Sequence, residues 1–236
     1  MNYSAGCRRL ETTPSAYSDA IPVLVMYPST TLPRQTKTGP YLLNVAMNAP
    51  IATGIFPLAI ISHGRRSYGL VFHTLARFLS ENGFIVALPN HPGDNLFQRQ
   101  SACSYQNLEE RPKQITAVID TLTTHKLFGC AIQTNNVGVI GHSAGGYTAL
   151  AIAGGEPHTG FMVKSALACQ PSQSRGDAHM GSSLLPITII PAKPDLRVRA
   201  VRAVVALAPD FSLFMHQRAL AKISIPVLLM VAQRDR

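Results

Sequence analysis

The sequence predicts an α/β fold, built on one mostly parallel sheet with helices on both of its faces. Apolar runs rich in β-branched residues, such as 56–64 and 136–143, are typical of strands buried on both sides. Segments with apolar residues at helical spacing, such as 70–83 and 111–125, lie between these runs. Because strands that alternate with helices form parallel β-α-β units, we expect all 236 residues to form one domain.

The remaining apolar runs extend the same pattern along the chain. Further strands are predicted at residues 21–28, 84–95, 201–210 and 225–236, and further helical segments at 144–155 and 211–223. Residues 156–197, rich in Ser, Gly and Pro, follow neither period and are predicted to form an irregular excursion within domain 1–236. Catalytic groups are expected just after the strands, because the carboxyl ends of parallel strands meet at one edge of a sheet.

The chain is strongly basic, with 21 Lys+Arg against 12 Asp+Glu and a formal net charge of +9. The basic residues form no long block, and no aromatic stripe accompanies them, which argues against a nucleic-acid binder. We therefore expect a small-molecule partner and no nucleic acid. The charge gives a membrane or lipid surface weak support, and none of these features specifies an oligomeric state.

Signals for cofactors and targeting are sparse. The four cysteines lack the close pairing of a metal site, so neither a cofactor nor a metal is expected. Residues 1–20 contain no apolar signal-peptide core, and the expectation is a cytoplasmic protein, or a secreted one if the true N-terminus lies upstream. No apolar run approaches the ~20 residues that cross a bilayer.

The pentapeptide Gly141-His142-Ser143-Ala144-Gly145 joins a predicted strand directly to a predicted helix. Such a turn exposes the serine hydroxyl at the end of the sheet and needs small residues on either side, because the neighbouring chain passes close by. The position at a helix N-terminus also stabilises developing negative charge. A helix-capping role would explain one serine but not the flanking glycines. The pattern therefore predicts that Ser143 is a nucleophile.

Acyl transfer from an ester to a serine needs two N–H donors for the developing oxyanion. Ala144, which follows the nucleophile, is expected to supply one of them, and Arg65, in the loop after strand 56–64, is expected to supply the other. His63 ends that strand, and its side chain is expected to bind nearby backbone instead of acting as the general base.

Several segments together resemble an α/β-hydrolase, and more narrowly the predicted dienelactone hydrolases and the platelet-activating-factor acetylhydrolase-like esterases. They include "FPLAIISHG", "ENGFIVALPNHPGDN", "VGVIGHSAGGYTAL", "VRAVVALAPDFS" and "IPVLLMVAQRD", and the resemblance extends over residues 21–235. It implies hydrolysis of a carboxylic ester through a Ser-His-Asp triad and an acyl-enzyme. Dienelactone hydrolases have a cysteine nucleophile, so Ser143 favours an ester as substrate over that lactone chemistry.

Two carboxylates compete for the acid of such a triad, which follows the chain order Ser, acid, His. Asp235 comes shortly after the apolar run 225–232, where many α/β-hydrolases carry the acid, and is preferred. Asp210 follows the apolar run 201–209 and is the alternative, although a helix cap would also explain it. The acetylhydrolase-like branch has its acid nearby, and its closest match in this chain is Ala208.

The general-base histidine is expected beyond Arg236, because only Arg236 follows Asp235. The chain is therefore expected to lack its last strand and helix and to be incomplete as a catalyst. His216 keeps the chain order but lies in a predicted helix beside Asp210, whereas His91 is expected to shape the acyl or alcohol pocket. The competing hypothesis is an α/β-hydrolase-like binding protein that has no triad histidine.

Overall fold

A sheet of nine strands organises the chain in a computed structural model that describes residues 3–12, 19–102, 104–157, 195–214 and 216–233. In chain order the strands are β1 (Ser4–Glu11), β2 (Pro22–Ser29), β3 (Arg34–Thr38), β4 (Tyr41–Met47), β5 (Phe56–Ser62), β6 (Ile85–Pro89), β7 (Ile132–His142), β8 (Val201–Leu207) and β9 (Val227–Met230). Their order across the sheet is β3-β4-β1-β2-β6-β5-β7-β8-β9. The predicted excursion 156–197 lies mostly outside the described residues.

The sheet is mostly parallel, as predicted. Strands β6, β5, β7, β8 and β9 run in one direction, and β2 is antiparallel to both of its neighbours. Sequence patterns missed β1 and the antiparallel hairpin of β3 and β4. The hairpin strand β3 is mostly polar and exposed, and β1 has buried small residues followed by charged ones, so neither has the long apolar run that reveals the central strands.

Helices cover both faces of the sheet, which confirms the predicted layering. They are α1 (His73–Glu81), α2 (Tyr105–Thr124) and α3 (Ala144–Ile152). Adjacent residues of β5 point to opposite faces, so Ile60 packs in the core with Val118 and Ala149, while Ile61 packs with Ala76 of α1. Each of these fully buried isoleucines contributes about 1.5–3 kcal/mol of hydrophobic stabilisation.

Helix α2 begins at Tyr105, earlier than the sequence predicts, so that Pro112 lies inside the helix and not near its start. The Ser104 side chain caps the helix by accepting a hydrogen bond from the Asn107 N–H at 3.0 Å. Proline has no N–H, which leaves the carbonyl of Leu108 without its helical partner. The Tyr147 hydroxyl donates to that carbonyl at 3.2 Å, and this bond joins α2 to α3.

Two predicted elements near the end of the described chain are shorter than expected. The helical segment predicted at 211–223 is a 3-10 helix at Phe211–Phe214 followed by turns, and Arg218 has a φ of 68°, which no helix tolerates. The strand predicted at 225–236 is β9, which pairs with β8 alone among the described residues.

Strand β9 exposes apolar side chains along its whole length. Leu228 is 55% exposed and Met230 is 52% exposed, and all four residues of the strand are classed as exposed. An apolar strand with one open edge presents unpaired N–H and C=O groups to other chains. Among the described residues, β9 therefore forms an apolar strand with one unpaired edge.

We expect a polypeptide of residues 1–236 to self-associate through the exposed edge of β9. Leu228→Lys places a charge on the strand and should shift the protein toward monomer at high concentration, as measured by sedimentation velocity. Leu32→Lys is the matched control, because Leu32 is 84% exposed but lies in a loop after β2. Equal behaviour of the two variants would show that β9 is not the cause.

Candidate active site

Ser143 stands in a strained backbone conformation between β7 and α3, with φ 53° and ψ −115°. Such a conformation costs an L-residue about 1–3 kcal/mol and persists only where the surroundings enforce it. The Ser143 N–H donates to the carbonyl of Leu207 at 3.0 Å. The Ser143 carbonyl accepts from the N–H groups of Tyr147 and Asp210, each at 3.1 Å. Strand β8, the loop after it and the first turn of α3 thus fix the turn.

Glycine at two positions lets the backbone close around this turn. A Cβ atom on Gly145 would collide with the carbonyl of Ser62 at the end of β5. A Cβ atom on Gly141 would collide with the carbonyl of Gly145. The steric reason predicted for the flanking glycines is therefore the close approach of β5, β7 and α3 at one point.

The loop after β5, residues 63–68 and here called the β5 loop, passes directly against Ser143. A Cβ atom built on Gly64 would lie 3.4 Å from the Ser143 Cβ and 3.1 Å from His142 Nδ1. Ala144 is the first residue of α3, where backbone N–H groups have no partner within the helix. The structure thus brings together Ser143, Ala144 and the loop that carries Arg65, the arrangement that an oxyanion site would need.

Asp210 also lies beside the turn. Its N–H binds Ser143, and its Oδ2 lies 3.5 Å from Arg65 Nη2, in an ion pair whose side chains are 26% and 29% exposed. A partly exposed pair of this kind contributes about 0–1 kcal/mol. Ala208, the closest match to the acetylhydrolase-like acid, has a φ of 39° and donates its N–H to Met230 at 2.7 Å. Asp235, the preferred acid, lies outside the described residues.

His63 is buried and bound to backbone, as the sequence analysis expects. Its Nε2 accepts the His91 N–H at 3.1 Å, so the ring proton is on Nδ1, which donates to the Gly64 carbonyl at 2.7 Å. Burial and the nearby Arg111 guanidinium lower the pKa of His63 to about 3. A neutral ring with both nitrogens engaged is not available as a general base.

His91 was expected to shape the acyl or alcohol pocket, and this expectation is wrong. The ring is fully buried, with Nε2 2.9 Å from Ser62 Oγ and Nδ1 2.7 Å from Gln114 Oε1. Burial, Arg111 and His63 hold the pKa of His91 well below its ordinary value. The side chain points into the layer between the sheet and α2 because Gln114, on the inner side of α2, offers it an acceptor.

In the described part of the chain, no histidine forms a hydrogen bond with Ser143 Oγ. His216 places its ring nitrogens 2.9 Å from the Gln217 carbonyl and 2.7 Å from the Glu156 carbonyl. His142 is exposed and lies against the ring of Phe72. His158 and His179 are not described, and the general base stays a prediction.

A buried ion pair under the site was missed by the sequence analysis. Arg111 Nη1 lies 2.7 Å from Asp94 Oδ2, and both side chains are 0% exposed. Burial lowers the pKa of the Arg111 guanidinium, and the Asp94 carboxylate opposes that change. The partners come from α2 and from the loop after β6, so no local sequence pattern links them.

A cavity of about 980 Å³ lies beside the β5 loop. Apolar side chains dominate its lining, which includes Leu24, Leu70, Leu88, Leu96 and Phe97, together with Tyr68 of the β5 loop. Through Tyr68 the cavity adjoins the loop that contacts Ser143. The cavity has room for an apolar group.

Within the described ranges, no helix has the length and apolarity needed to cross a membrane. The same residues hold no group of three or more His, Cys, Asp or Glu side chains placed to bind a metal ion.

A comparison with known protein families identifies the family of this chain. The sequence model described as Chlorophyllase matches residues 10–185, which is well over half of the chain and contains both Ser143 and the β5 loop. The chain belongs to the chlorophyllase family. This family is α/β-hydrolase-like, so the resemblance to α/β-hydrolases is confirmed. A comparison with curated proteins found no match.

Solved structures share the fold of this chlorophyllase-family chain. A ferulic acid esterase from Streptomyces cinnamoneus is 18% identical with a TM-score of 0.63, over 99% of this chain and 66% of the esterase. A dienelactone hydrolase from Anabaena variabilis is 14% identical with a TM-score of 0.55, over 99% of this chain and 76% of that one. A dienelactone hydrolase-like promiscuous phosphotriesterase from metagenomic libraries is 12% identical with a TM-score of 0.52, over 96% of this chain and 68% of that one.

The predicted fold class is confirmed by these structures. The chain spans slightly less than two thirds of the length of the ferulic acid esterase. At such low identity the likeness establishes the fold, and the reaction has to be argued from the site itself.

We expect Ser143→Gly to stabilise the protein by about 1 kcal/mol, because glycine adopts the backbone of the turn without strain. Ser143→Ala is the matched control: it also removes the hydroxyl but keeps the strained Cβ, so its stability should stay within about 0.5 kcal/mol of the wild type. Urea unfolding measures both. Equal stability of the two variants would argue that the turn is relaxed.

Stability should fall as the pH drops below about 6.5. The pKa of His63 is about 3 in the folded protein and near 6.5 in the unfolded chain. Between these two pH values only the unfolded chain binds the proton, and this binding stabilises the unfolded chain relative to the folded protein. Between pH 6.5 and 5, where most carboxylates stay ionised, His63 lowers the free energy of unfolding by at most about 1.4 kcal/mol per pH unit. His91, whose pKa is also lowered, adds to this decrease in the same direction.

Urea midpoints at each pH measure this dependence. His63→Gln should flatten the slope between pH 6.5 and 5, whereas His73→Gln, on the outer helix α1, should leave it unchanged. An unchanged slope in His63→Gln would contradict the assignment of a neutral buried ring.

Proposed function

We propose that this chlorophyllase-family protein is a serine hydrolase that cleaves carboxylic esters through an acyl-enzyme on Ser143. The observation that carries the proposal is the strained turn of Ser143, with φ 53°, between the central strand β7 and α3. A capping serine needs no such strain, because N-cap residues adopt ordinary extended backbone angles. A nucleophile gains from it, since the turn lifts the hydroxyl away from the sheet toward a substrate.

In the proposed reaction, Ser143 Oγ attacks the ester carbonyl while a histidine accepts its proton. The N–H groups of Ala144 and Arg65 bind the oxyanion, the tetrahedral intermediate expels the alcohol, and water then cleaves the acyl-enzyme. Asp235 orients the histidine, and Asp210 is the alternative acid. The order Ser, acid, His places the histidine after the acid in the chain. No step of this reaction uses a metal or an organic cofactor.

Two further observations support an ester substrate. The family and the fold relatives are hydrolases, and the titles of two of the latter name a ferulic acid esterase and a dienelactone hydrolase. The apolar cavity beside the β5 loop suits an ester with an apolar arm on its acyl or alcohol side.

A second candidate function is a binding protein with the same fold but no working triad. It is favoured by one observation: among the described residues, Ser143 Oγ has no histidine partner. The two functions differ in whether the serine is reactive, because a serine without a base is a poor nucleophile.

A fluorophosphonate probe separates the two functions. We expect the full-length protein, with its general-base histidine, to become labelled at Ser143, with the modified residue located by peptide mass spectrometry, and its Ser143→Ala variant to remain unlabelled. Removal of a triad member lowers kcat by about 10⁴-fold or more, so hydrolysis of p-nitrophenyl esters should fall to near background in Ser143→Ala.

The same assay distinguishes the acids: Asp235→Asn should lower kcat far more than Asp210→Asn. An exposed control, Asp120→Asn on α2, should leave kcat unchanged. A folded full-length protein that resists the probe and hydrolyses none of the esters would support the binding protein.

A further inference from the structure

We propose that the buried Arg111–Asp94 ion pair positions the β5 loop and thereby aims the Arg65 N–H at the substrate. Both residues act through the backbone and are positioning residues, not catalytic ones. The proposal rests on the proposed function, since it concerns the same oxyanion site.

The ion pair holds the β5 loop on both sides of Arg65. Arg111 Nη2 donates to the carbonyl of His63, which precedes Arg65 by two residues. Asp94 Oδ1 accepts the N–H of Arg66, which follows it, at 2.8 Å. A direct bond of 2.7 Å between Arg111 Nη1 and Asp94 Oδ2 joins these two anchors, so the loop is clamped by one rigid unit.

The peptide group between the anchors is fixed as well. His63 Nδ1 donates to the Gly64 carbonyl at 2.7 Å, and the Ser67 N–H donates to the same oxygen at 3.3 Å. In a planar trans peptide the C=O and the following N–H point in opposite directions. Because the Gly64 carbonyl is held by His63 and Ser67, the Arg65 N–H points away from them. Three consecutive peptide groups of the loop therefore have their orientation set by buried partners.

The same guanidinium also contacts the helix that begins at Ala144. Arg111 Nε donates to Thr148 Oγ1 at 3.3 Å, and the Thr148 hydroxyl donates to the Ala144 carbonyl at 2.9 Å. Arg111 thus touches both elements that carry the proposed oxyanion donors. A change in its position would alter the spacing between the N–H groups of Arg65 and Ala144.

The chemistry of the pair favours a positioning role over a purely stabilising one. The attraction within a buried ion pair at best offsets the free-energy cost of removing both charges from water. A protein with a well-packed apolar pair of the same volume in its place is often equally stable. A guanidinium adds direction, since its planar fork presents N–H donors at fixed angles. Here the guanidinium donates hydrogen bonds to Asp94, the His63 carbonyl, Ser62 and Thr148. Asn107 Nδ2 donates a further hydrogen bond to Asp94 Oδ2 at 2.8 Å.

Arg111→Lys tests the proposal, because it keeps the charge and loses the fork. We expect kcat for p-nitrophenyl ester hydrolysis to fall about 10²-fold with KM changed less than about threefold, since a misplaced oxyanion donor weakens the transition state and not the ground state. The rate of fluorophosphonate labelling should fall in parallel. Arg77→Lys is the matched control: Arg77 forms an exposed ion pair with Glu81 on α1, and its replacement should change neither rate.

Asp94→Asn provides a second variant if Arg111→Lys does not fold, since the amide keeps the shape and one acceptor while it removes the charge. Hydrogen exchange supplies a readout that is independent of activity. The Arg66 amide, which donates to Asp94 in the wild type, should exchange at least tenfold faster in either folded variant, measured by mass spectrometry on the peptide that contains residues 63–68, while amides in β7 keep their wild-type rates.

The outcomes separate this proposal from the proposed function. An inactive, unlabelled full-length protein would refute the proposed function, and the exchange rates would still decide whether the pair holds the loop. A folded Arg111→Lys or Asp94→Asn protein with wild-type kcat and wild-type exchange in the β5 loop would overturn the positioning role. A drop in melting temperature with unchanged kcat and exchange would assign the pair to stability alone.

Discussion

The strained backbone of Ser143 is the constraint on which the rest of the site depends. A φ of 53° is held because β8, α3 and the loop after β8 all bind the peptide groups of this one residue. The approach of these elements leaves no space for a Cβ at Gly141 or Gly145. The strain is therefore compensated by the packing of the central strands, and Ser143 remains partly exposed at the end of the sheet.

A second layer of polar interactions lies beneath this turn, between the sheet and α2. Arg111, Asp94 and the neutral rings of His63 and His91 are all fully buried, and each has hydrogen-bond partners. The positive charge of Arg111 helps to keep both rings neutral, and neutrality fixes which ring nitrogen donates. Burial, together with the charge of Arg111, keeps both rings neutral, and the Arg111–Asp94 ion pair anchors the loop above them.

The family assignment identifies the fold of this chain but does not identify its substrate. The chain belongs to the chlorophyllase family and has the α/β-hydrolase fold, but its fold relatives include an esterase, a dienelactone hydrolase and a phosphotriesterase by title. A shared fold places the nucleophile and the oxyanion donors at the same sheet edge, whereas the substrate is selected by the loops around them.

The sequence by itself determined the alternation of strands and helices, the sheet type and the turn at Ser143, because these depend on residues that are neighbours along the chain. Only the tertiary structure decided the partners of Arg111, the inward direction of His91 and the pairing of β1, because these depend on contacts across many residues of sequence. Pro112 shows the difference clearly: local rules place it at a helix start, yet the Tyr147 hydroxyl satisfies the carbonyl it frees and lets the helix begin earlier. Local patterns encode backbone conformation, whereas buried polar partners are chosen by which side chains the fold brings within reach.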